Sequence, residues 1–260
     1  MNVRMISAEL LRLRKNRALD VWMFIMTTGA VAAFFLIAEG FHLNNSQQNG
    51  PPGGATNLEH AVVVISFIGS VAAAILGSTV GTNDLSCGVF RDLVVTGKSR
   101  TTLFLARVPG MLLYWVPMVI LAYSVSVIFD FAFAGGLATP GLTPIIKDGL
   151  WALMVTCIAL CTSMGVAALI GSRGIAIGVL LGWQLAATPL LLNISQLGVT
   201  REAILTTATS RVSPISGRTG PGGDAANALH VSLAAAIVVL LAWIILPLAA
   251  GGWRTITRDA

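Results

Sequence analysis

The sequence predicts an all-α polytopic membrane protein with six transmembrane helices, and two observations support that prediction. Hydrophobic residues make up 55% of the 260 residues and charged residues only 10%, whereas soluble domains carry about 25% charged residues. Six apolar runs are each about 20 residues long, which is enough to cross about 30 Å of hydrocarbon as a helix. This composition excludes a soluble enzyme, a disordered protein and a disulfide scaffold.

Each apolar run is expected to be helical, because backbone polar groups in lipid must be satisfied within the segment itself. The whole chain, 1–260, is predicted to be a single transmembrane domain with small loops. The predicted spans cover residues 22–43, 61–82, 103–129, 149–170, 175–192 and 229–250.

Residues 1–20 are predicted to form an amphipathic helix in the plane of the membrane interface. Val3, Ile6, Leu10 and Leu13 recur at helical period. Basic side chains fall mostly off this stripe, where they would reach anionic headgroups. A simple topology anchor and an additional contact with a cytoplasmic partner are both compatible with this pattern. The candidate interfacial residues are Glu9, Arg12 and Arg14.

Two extramembrane connectors are predicted on the outer side. Residues 44–60 are rich in Asn, Gln, Gly and Pro, which is typical of a polar, turn-rich loop. Residues 193–228 form the longest gap between spans and include an amphipathic piece near 199–209. We expect one or two short interfacial or re-entrant helices there, followed by a glycine-rich turn.

Polar and aromatic residues within the spans are candidates for a substrate path. An intramembrane acid such as Glu39 usually faces a cavity or a partner, although its position near the end of a span also fits an interfacial role. Trp22, Trp151 and Trp253 stand at span ends and are expected to be interfacial belt residues. The candidate path residues are Glu39, Tyr114, Trp115, Trp183, Gln184 and Asn193.

Small residues predict close helix packing in two spans. Gly174, Gly178 and Gly182 are spaced by four and share one helix face, and Gly77 and Gly81 repeat the spacing. The face of Gly174, Gly178 and Gly182 could pack against another helix of the same chain or against a second subunit.

The positive-inside rule predicts that both termini are cytoplasmic. Twelve of the 16 Lys and Arg residues then lie inside. The basic pI is therefore a signal of topology, and we expect no nucleic-acid partner. The inside set is Arg4, Arg12, Arg14, Lys15, Arg17, Arg91, Lys98, Arg100, Arg107, Arg173, Arg254 and Arg258; the outside set is Lys147, Arg201, Arg211 and Arg218.

Residues 83–100, between the second and third spans, form a longer connector than a tight turn requires. Val89, Leu93 and Val94 recur at helical spacing, which favours a short amphipathic helix at the membrane surface. Gly97 and the two residues after it are similar to the end of a phosphate-binding loop, but Asp92 stands where that motif needs glycine. We therefore expect no nucleotide hydrolysis by this chain itself.

The same connector, together with the six-span layout, resembles the permease subunits of ABC-2-type exporters. The shared pattern runs from an acidic residue through a glycine, an arginine and a leucine to a turn that leads into the third span. The likeness in layout extends over the whole chain. The matching positions are Asp84, Gly88, Arg91, Leu93, Gly97, Ser99 and Arg100.

The resemblance implies a specific mode of action. The connector would be a coupling helix that docks into a separate cytoplasmic ATPase. Two such ATPase subunits, which hold ATP and magnesium, would drive two permease subunits between inward-facing and outward-facing states. The second permease subunit would be the same or a related chain. Both would lie in a prokaryotic cell membrane, in contact with its lipids. The cargo implied is a hydrophobic or amphiphilic drug, antibiotic, peptide or lipid-like molecule.

Two other classes of function are weaker interpretations of the sequence. A secondary carrier or channel would need no ATPase, but no chain of intramembrane carboxylates and histidines is evident. A membrane-embedded enzyme would need a paired nucleophile and base or a metal cluster, and the sequence offers no catalytic or metal-binding motif.

Overall fold

The computed structural model describes residues 3–86, 99–215, 229 and 231–257, with side chains at all of these except 3 and 83–86. The regular structure in this part is helical, and six of its helices are long and apolar enough to cross a membrane. This confirms the six predicted spans. The helices are α1 (Val3–Lys15), α2 (Arg17–Asn44), α3 (Ala55–Ser86), α4 (Arg100–Ala132), α5 (Leu142–Ile170), α6 (Arg173–Asn193), the short α7 (Leu205–Arg211) and α8 (Leu233–Thr257).

Helices α3 and α5 form the centre of the bundle. The most apolar part of α3 is 67% buried and that of α5 is 56% buried, against 11% for α8. Glycine allows the two central backbones to touch: a Cβ at Gly77 would collide with Ser163 and lie 2.7 Å from the carbonyl oxygen of Leu160. A Cβ at Gly81 would lie 2.6 Å from the carbonyl oxygen of Met164. The predicted close packing at Gly77 and Gly81 is therefore within the chain.

Helix α8 packs on α5 at a proline. Pro247 lies inside α8 and has no N–H, so it leaves the carbonyl of Trp243 without its helical donor. The hydroxyl of Thr162 on α5 donates to that carbonyl at 2.6 Å. Since lipid cannot satisfy a free carbonyl, this bond lets the proline sit within a span.

Helix α1 lies against α4. A Cβ at Gly110 would be only 2.8 Å from the Cβ of Glu9, so glycine is what admits α1 at this distance. Leu13 of the predicted apolar stripe is buried, and Arg14 is exposed. The helix is thus present, and Leu10 and Leu13 of its apolar stripe pack on protein.

Charge divides the bundle into two ends. We call the basic end the one where α1, the start of α4 and the end of α8 lie, since Arg100, Arg173 and Arg254 are there. The opposite, acidic end carries Glu59, Asp130 and the α6–α7 connection.

The connector at residues 44–60 differs from its prediction. Residues 52–54 are buried, and the N–H of Gly53 donates to the carbonyl of Phe133 at 3.1 Å. Helix α3 already begins at Ala55, and Gly54 before it has a φ of 95°, which glycine adopts without strain. The stretch is turn-rich as predicted, and its glycines also let residues 52–54 pack against the end of α4, a contact that the sequence did not predict.

Candidate functional site

A cavity lies inside the bundle between α3, α5, α6 and α8, and α7 closes it towards the acidic end. Its volume is about 110 Å³, whereas pockets for drug-sized ligands measure about 300–1,000 Å³. The cavity as described therefore has room for a few water molecules. The lining residues include Ser66, Phe67, Ser70, Ala74, Trp151, Val155, Ala159, Thr162, Leu180, Trp183, Gln184, Thr188, Leu205, Thr206, Thr209 and Trp243.

The lining combines aromatic rings with uncharged hydrogen-bonding groups. The rings of Trp183 and Trp243 lie 5.8 Å apart and are tilted by 41°. The hydroxyl of Ser70 donates to the carbonyl of Ser66 at 2.6 Å. None of the lining residues carries a formal charge. The aromatic rings of such a surface can stack on the flat apolar part of a ligand, and its hydrogen-bonding groups can orient the ligand's polar groups.

Gln184 lies where the helix is irregular. Residues Trp183–Ala187 of α6 form one turn of π-helix, a distortion that is frequent at functional sites. The side-chain nitrogen of Gln184 lies 3.5 Å from the carbonyl oxygen of Phe67, which is at the outer limit of a hydrogen bond. Its amide is therefore weakly held and available to a ligand.

Two tryptophans hold the segment that covers the cavity. The indole N–H of Trp151 donates to the carbonyl of Thr209 at 3.0 Å, and that of Trp243 donates to the carbonyl of Ala203 at 2.9 Å. Arg211 extends the anchoring, since its Nε donates to the carbonyl of Val231 at 2.8 Å. We call residues 195–211, which contain a 3₁₀ stretch (Ser195–Ala203) and α7, the cover segment. The structure thus has short helices in the gap where the sequence predicts them.

The belt prediction is wrong for Trp151. Its side chain is 4% exposed, while those of Trp22 and Trp253 are 58% and 68% exposed. Helix α5 begins at Leu142, seven residues before the predicted span, so Trp151 lies more than two turns inside the helix. The polar pair Lys147 and Asp148 concealed that earlier start.

Removing both indole N–H groups is expected to loosen the cover segment. The double variant Trp151→Phe, Trp243→Phe keeps aromatic rings but leaves two carbonyls without donors, at about 1 kcal/mol each. Hydrogen–deuterium exchange across 195–211 should accelerate by at least about fivefold. Trp115→Phe is the matched control, because the buried N–H of Trp115 has no hydrogen-bond partner among the described residues. Equal exchange in the double variant and the control would contradict the anchoring role.

The structure brings two of the predicted path residues, Trp183 and Gln184, to the cavity. The other four lie elsewhere. The hydroxyl of Tyr114 donates to Asp20 at 2.6 Å beside α2, and Trp115 is wholly buried in the core. Glu39 is half-buried on α2, and the side chain of Asn193 donates to the carbonyl of Pro189 at 2.8 Å.

Sequence reasoning missed most of the cavity. Ser66, Ser70 and Thr162 are hydroxyl residues within apolar helices, which is a weak signal because such residues often bond to their own helix. Trp243 lies in an apolar run that gives no indication of its face. The tryptophans within spans were the best available signal, and three of them, Trp151, Trp183 and Trp243, line the cavity.

Only part of the predicted coupling segment lies in the described region. Ser99 accepts a hydrogen bond from the N–H of Thr102 at 3.2 Å and so caps α4. Arg100 donates to the carbonyl of Ile256 at 3.2 Å, which joins the start of α4 to the end of α8. Outside the described residues lie Gly88, Arg91, Leu93, Gly97 and the side chain of Asp84.

The other predicted features are placed as follows. Glu9 and Arg12 form an ion pair at 3.7 Å on α1. Gly174, Gly178 and Gly182 lie on an open face of α6, since no atom of the described chain would come within 4 Å of a Cβ at any of them. The structure therefore gives no packing partner within the described chain for this glycine face.

A group of buried acids at the acidic end was not foreseen. Asp130 is wholly buried, and its carboxylate faces the backbone N–H of Gly54 without a hydrogen bond of standard length and angle among the described residues. Tyr123 lies within electrostatic range of Asp130 and Asp148, and Asp148 lies within range of Glu59. The inference that the spans lack a set of carboxylates is thus incomplete, because helices α3, α4 and α5 bring these residues together.

No family model matches the chain, and no curated protein matches it significantly.

Proposed function

We propose that the chain is the transmembrane subunit of an ATP-driven exporter of the ABC-2 permease kind. It moves a hydrophobic or amphiphilic molecule out of the cell by alternating access. The observation that supports transport most directly is the uncharged, aromatic cavity inside the bundle, closed on one side by the cover segment. A site that must open to admit a ligand is what alternating access requires.

The driving force in this proposal comes from a separate ATPase. The end of α3 and the start of α4 lie at the basic end, so the connector between them starts and finishes on the side that we assign to the cytoplasm. Arg100 at the base of the connector bonds to the end of α8, and α8 reaches the cavity at Trp243. A displacement of the connector can therefore act on the cavity wall through α4 and α8. The proposed coupling residues remain Asp84, Gly88, Arg91, Leu93, Gly97, Ser99 and Arg100.

The proposed assembly contains two permease and two ATPase subunits. The open glycine face of α6 supports a second permease subunit, identical or related, packed at Gly178. The positive-inside rule assigns the basic end to the cytoplasm. The membrane in this proposal is that of a prokaryotic cell.

A second candidate function is an ion-coupled carrier, and the observation that favours it is Asp130. A buried carboxylate is costly in a membrane protein and often marks an ion or proton route. The group of Asp130, Asp148 and Glu59 gives this candidate a specific location at the acidic end.

Copurification with and without the coupling residues tests the first candidate. Tagged chain extracted from its native membranes is expected to bring down an ABC ATPase. The variant Leu93→Asp, Arg91→Glu should lose at least about 90% of that ATPase, since it removes the apolar anchor and reverses a charge. Leu142→Asp is the matched control, because Leu142 is an exposed apolar residue at the acidic end.

Energy dependence separates the two candidates. Transport that stops on ATP depletion while the ion gradient is clamped supports the exporter. Transport that persists without ATP, collapses with the ion gradient and is lost in Asp130→Asn would overturn it in favour of the carrier. Retention of the ATPase by the coupling variant would also overturn the assigned coupling role.

A further inference from the structure

A lateral groove lies between α2 and α4 next to α1. Its volume is about 640 Å³. Val21 on one wall is 56% exposed and Leu113 on the other is 54% exposed, so large apolar side chains stand open on the outer surface of the bundle. In a membrane, this groove faces lipid. Its apolar walls comprise Leu10, Val21, Phe24, Leu113, Pro117 and Leu121.

Basic side chains lie at and beside the basic end of the groove. Arg14 lines it, and the neighbouring Lys15 and Arg17 are exposed. Asp20 is the acidic residue in the lining, and its carboxylate accepts the hydroxyl of Tyr114 at 2.6 Å. The lining therefore holds one cation and one carboxylate, and that carboxylate is engaged in a hydrogen bond, while Lys15 and Arg17 add two exposed cations in the adjoining stretch of chain.

A second groove on the opposite side of α2 repeats the arrangement. Its volume is about 480 Å³, and its walls include Trp22, Met26 and Ile75. Arg173, at the start of α6, lies at its edge and is exposed. On both sides of α2, therefore, an apolar groove has an arginine at the same end of the bundle.

We propose that the groove between α2 and α4 binds an anionic phospholipid from the leaflet at the basic end. An acyl chain lies along the apolar walls, and the headgroup phosphate pairs with Arg14, whose guanidinium suits phosphate oxygens. Charge complementarity selects an anionic headgroup over a zwitterionic one. Lipid binding in this groove requires only that the chain is inserted in a membrane, and it is independent of how transport is driven.

Photolabelling tests this site directly. The protein is reconstituted in vesicles that contain phosphatidylglycerol or phosphatidylcholine probes with the same diazirine-bearing acyl chain. Peptides that contain Val21 and Leu113 should be labelled about fivefold more by the phosphatidylglycerol probe, the effect expected of one basic side chain at the membrane surface. The preference should disappear in Arg14→Gln and persist in Arg4→Gln, since Arg4 is exposed on the same helix outside the groove lining.

Two further arms distinguish the alternatives. Leu113→Trp fills the groove at an exposed position and should reduce labelling by both probes without changing thermal stability. Excess inorganic phosphate should not displace the label, because the acyl chain provides most of the binding. Equal labelling by the two probes, or an unchanged preference in Arg14→Gln, would overturn the proposal and indicate ordinary annular lipid.

Discussion

Gly165→Leu is expected to prevent stable packing of α5 against α8. A Cβ at Gly165 would collide with the backbone of Pro247 and lie 2.6 Å from the backbone nitrogen of Leu248. Backbone atoms cannot rotate away as a flexible side chain can, so the helices must separate. We expect a loss of about 3 kcal/mol or more in the free energy of unfolding. Thermal unfolding in detergent, followed by size-exclusion chromatography, measures it.

Gly178→Leu is the matched control for this prediction. It makes the same change in another span, at a position where no described atom would lie within 4 Å of the new Cβ. Its protomer should be as stable as the wild type or more so by up to about 1 kcal/mol, because glycine is a poor helix former. If α6 also forms the proposed contact between subunits, this variant should shift the dimer to monomer without unfolding. Equal loss of stability in the two variants would contradict the close backbone packing of α5 against α8.

If the chain is the proposed exporter, Ala159→Phe should abolish transport while preserving the fold. Ala159 lines a cavity of about 110 Å³, so a phenyl ring would occupy space that a ligand must enter. If the added ring destabilises the ligand-bound state by about 1.4 kcal/mol, the affinity for the ligand already falls about tenfold. Efflux of a lipophilic fluorescent dye from cells that express the chain with the proposed ATPase measures the effect, and membrane abundance checks folding.

Two control variants define the specificity of this effect. Ala159→Ser keeps the volume of the cavity and should retain most transport. Ala33→Phe adds the same ring at an exposed position of α2 and should have no effect. Normal efflux by a well-folded Ala159→Phe protein would mean that the cavity is not on the transport route.

The number of spans could be predicted because lipid imposes a length and a composition on each one. The ends of the spans were less predictable. The third predicted span covers 103–129, whereas α4 runs from Arg100 to Ala132. Polar residues near helix ends can belong to the helix: Arg100 begins α4, and Ser99 before it caps the helix by accepting a hydrogen bond from the N–H of Thr102. Hydropathy therefore locates the middle of each span better than its limits.

The candidate site was only partly predictable, because a hydropathy profile does not state which face of a helix points inward. Trp183 and Gln184 stood out as polar or aromatic residues in an apolar run, and they line the cavity. Tyr114 and Trp115 gave the same signal, yet one contacts Asp20 and the other fills the core. Asp130 and Asp148 fell outside the predicted spans, and they belong to α4 and α5 because these helices are longer than predicted.

The sequence by itself determined that the chain is a helical membrane protein with six spans and a strongly basic set of segments, because these properties depend on composition, length and periodicity. Only the tertiary structure decided which small residues serve packing: Gly77 and Gly165 admit a neighbouring backbone, whereas Gly178 faces open space. It also decided that Trp151 and Trp243 hold a cover over the cavity. The physical reason is that close approach and hydrogen bonding between helices depend on how each helix is rotated and how deep it lies. A glycine or tryptophan contributes the same hydropathy whichever way its helix is turned, so the sequence does not reveal its neighbours.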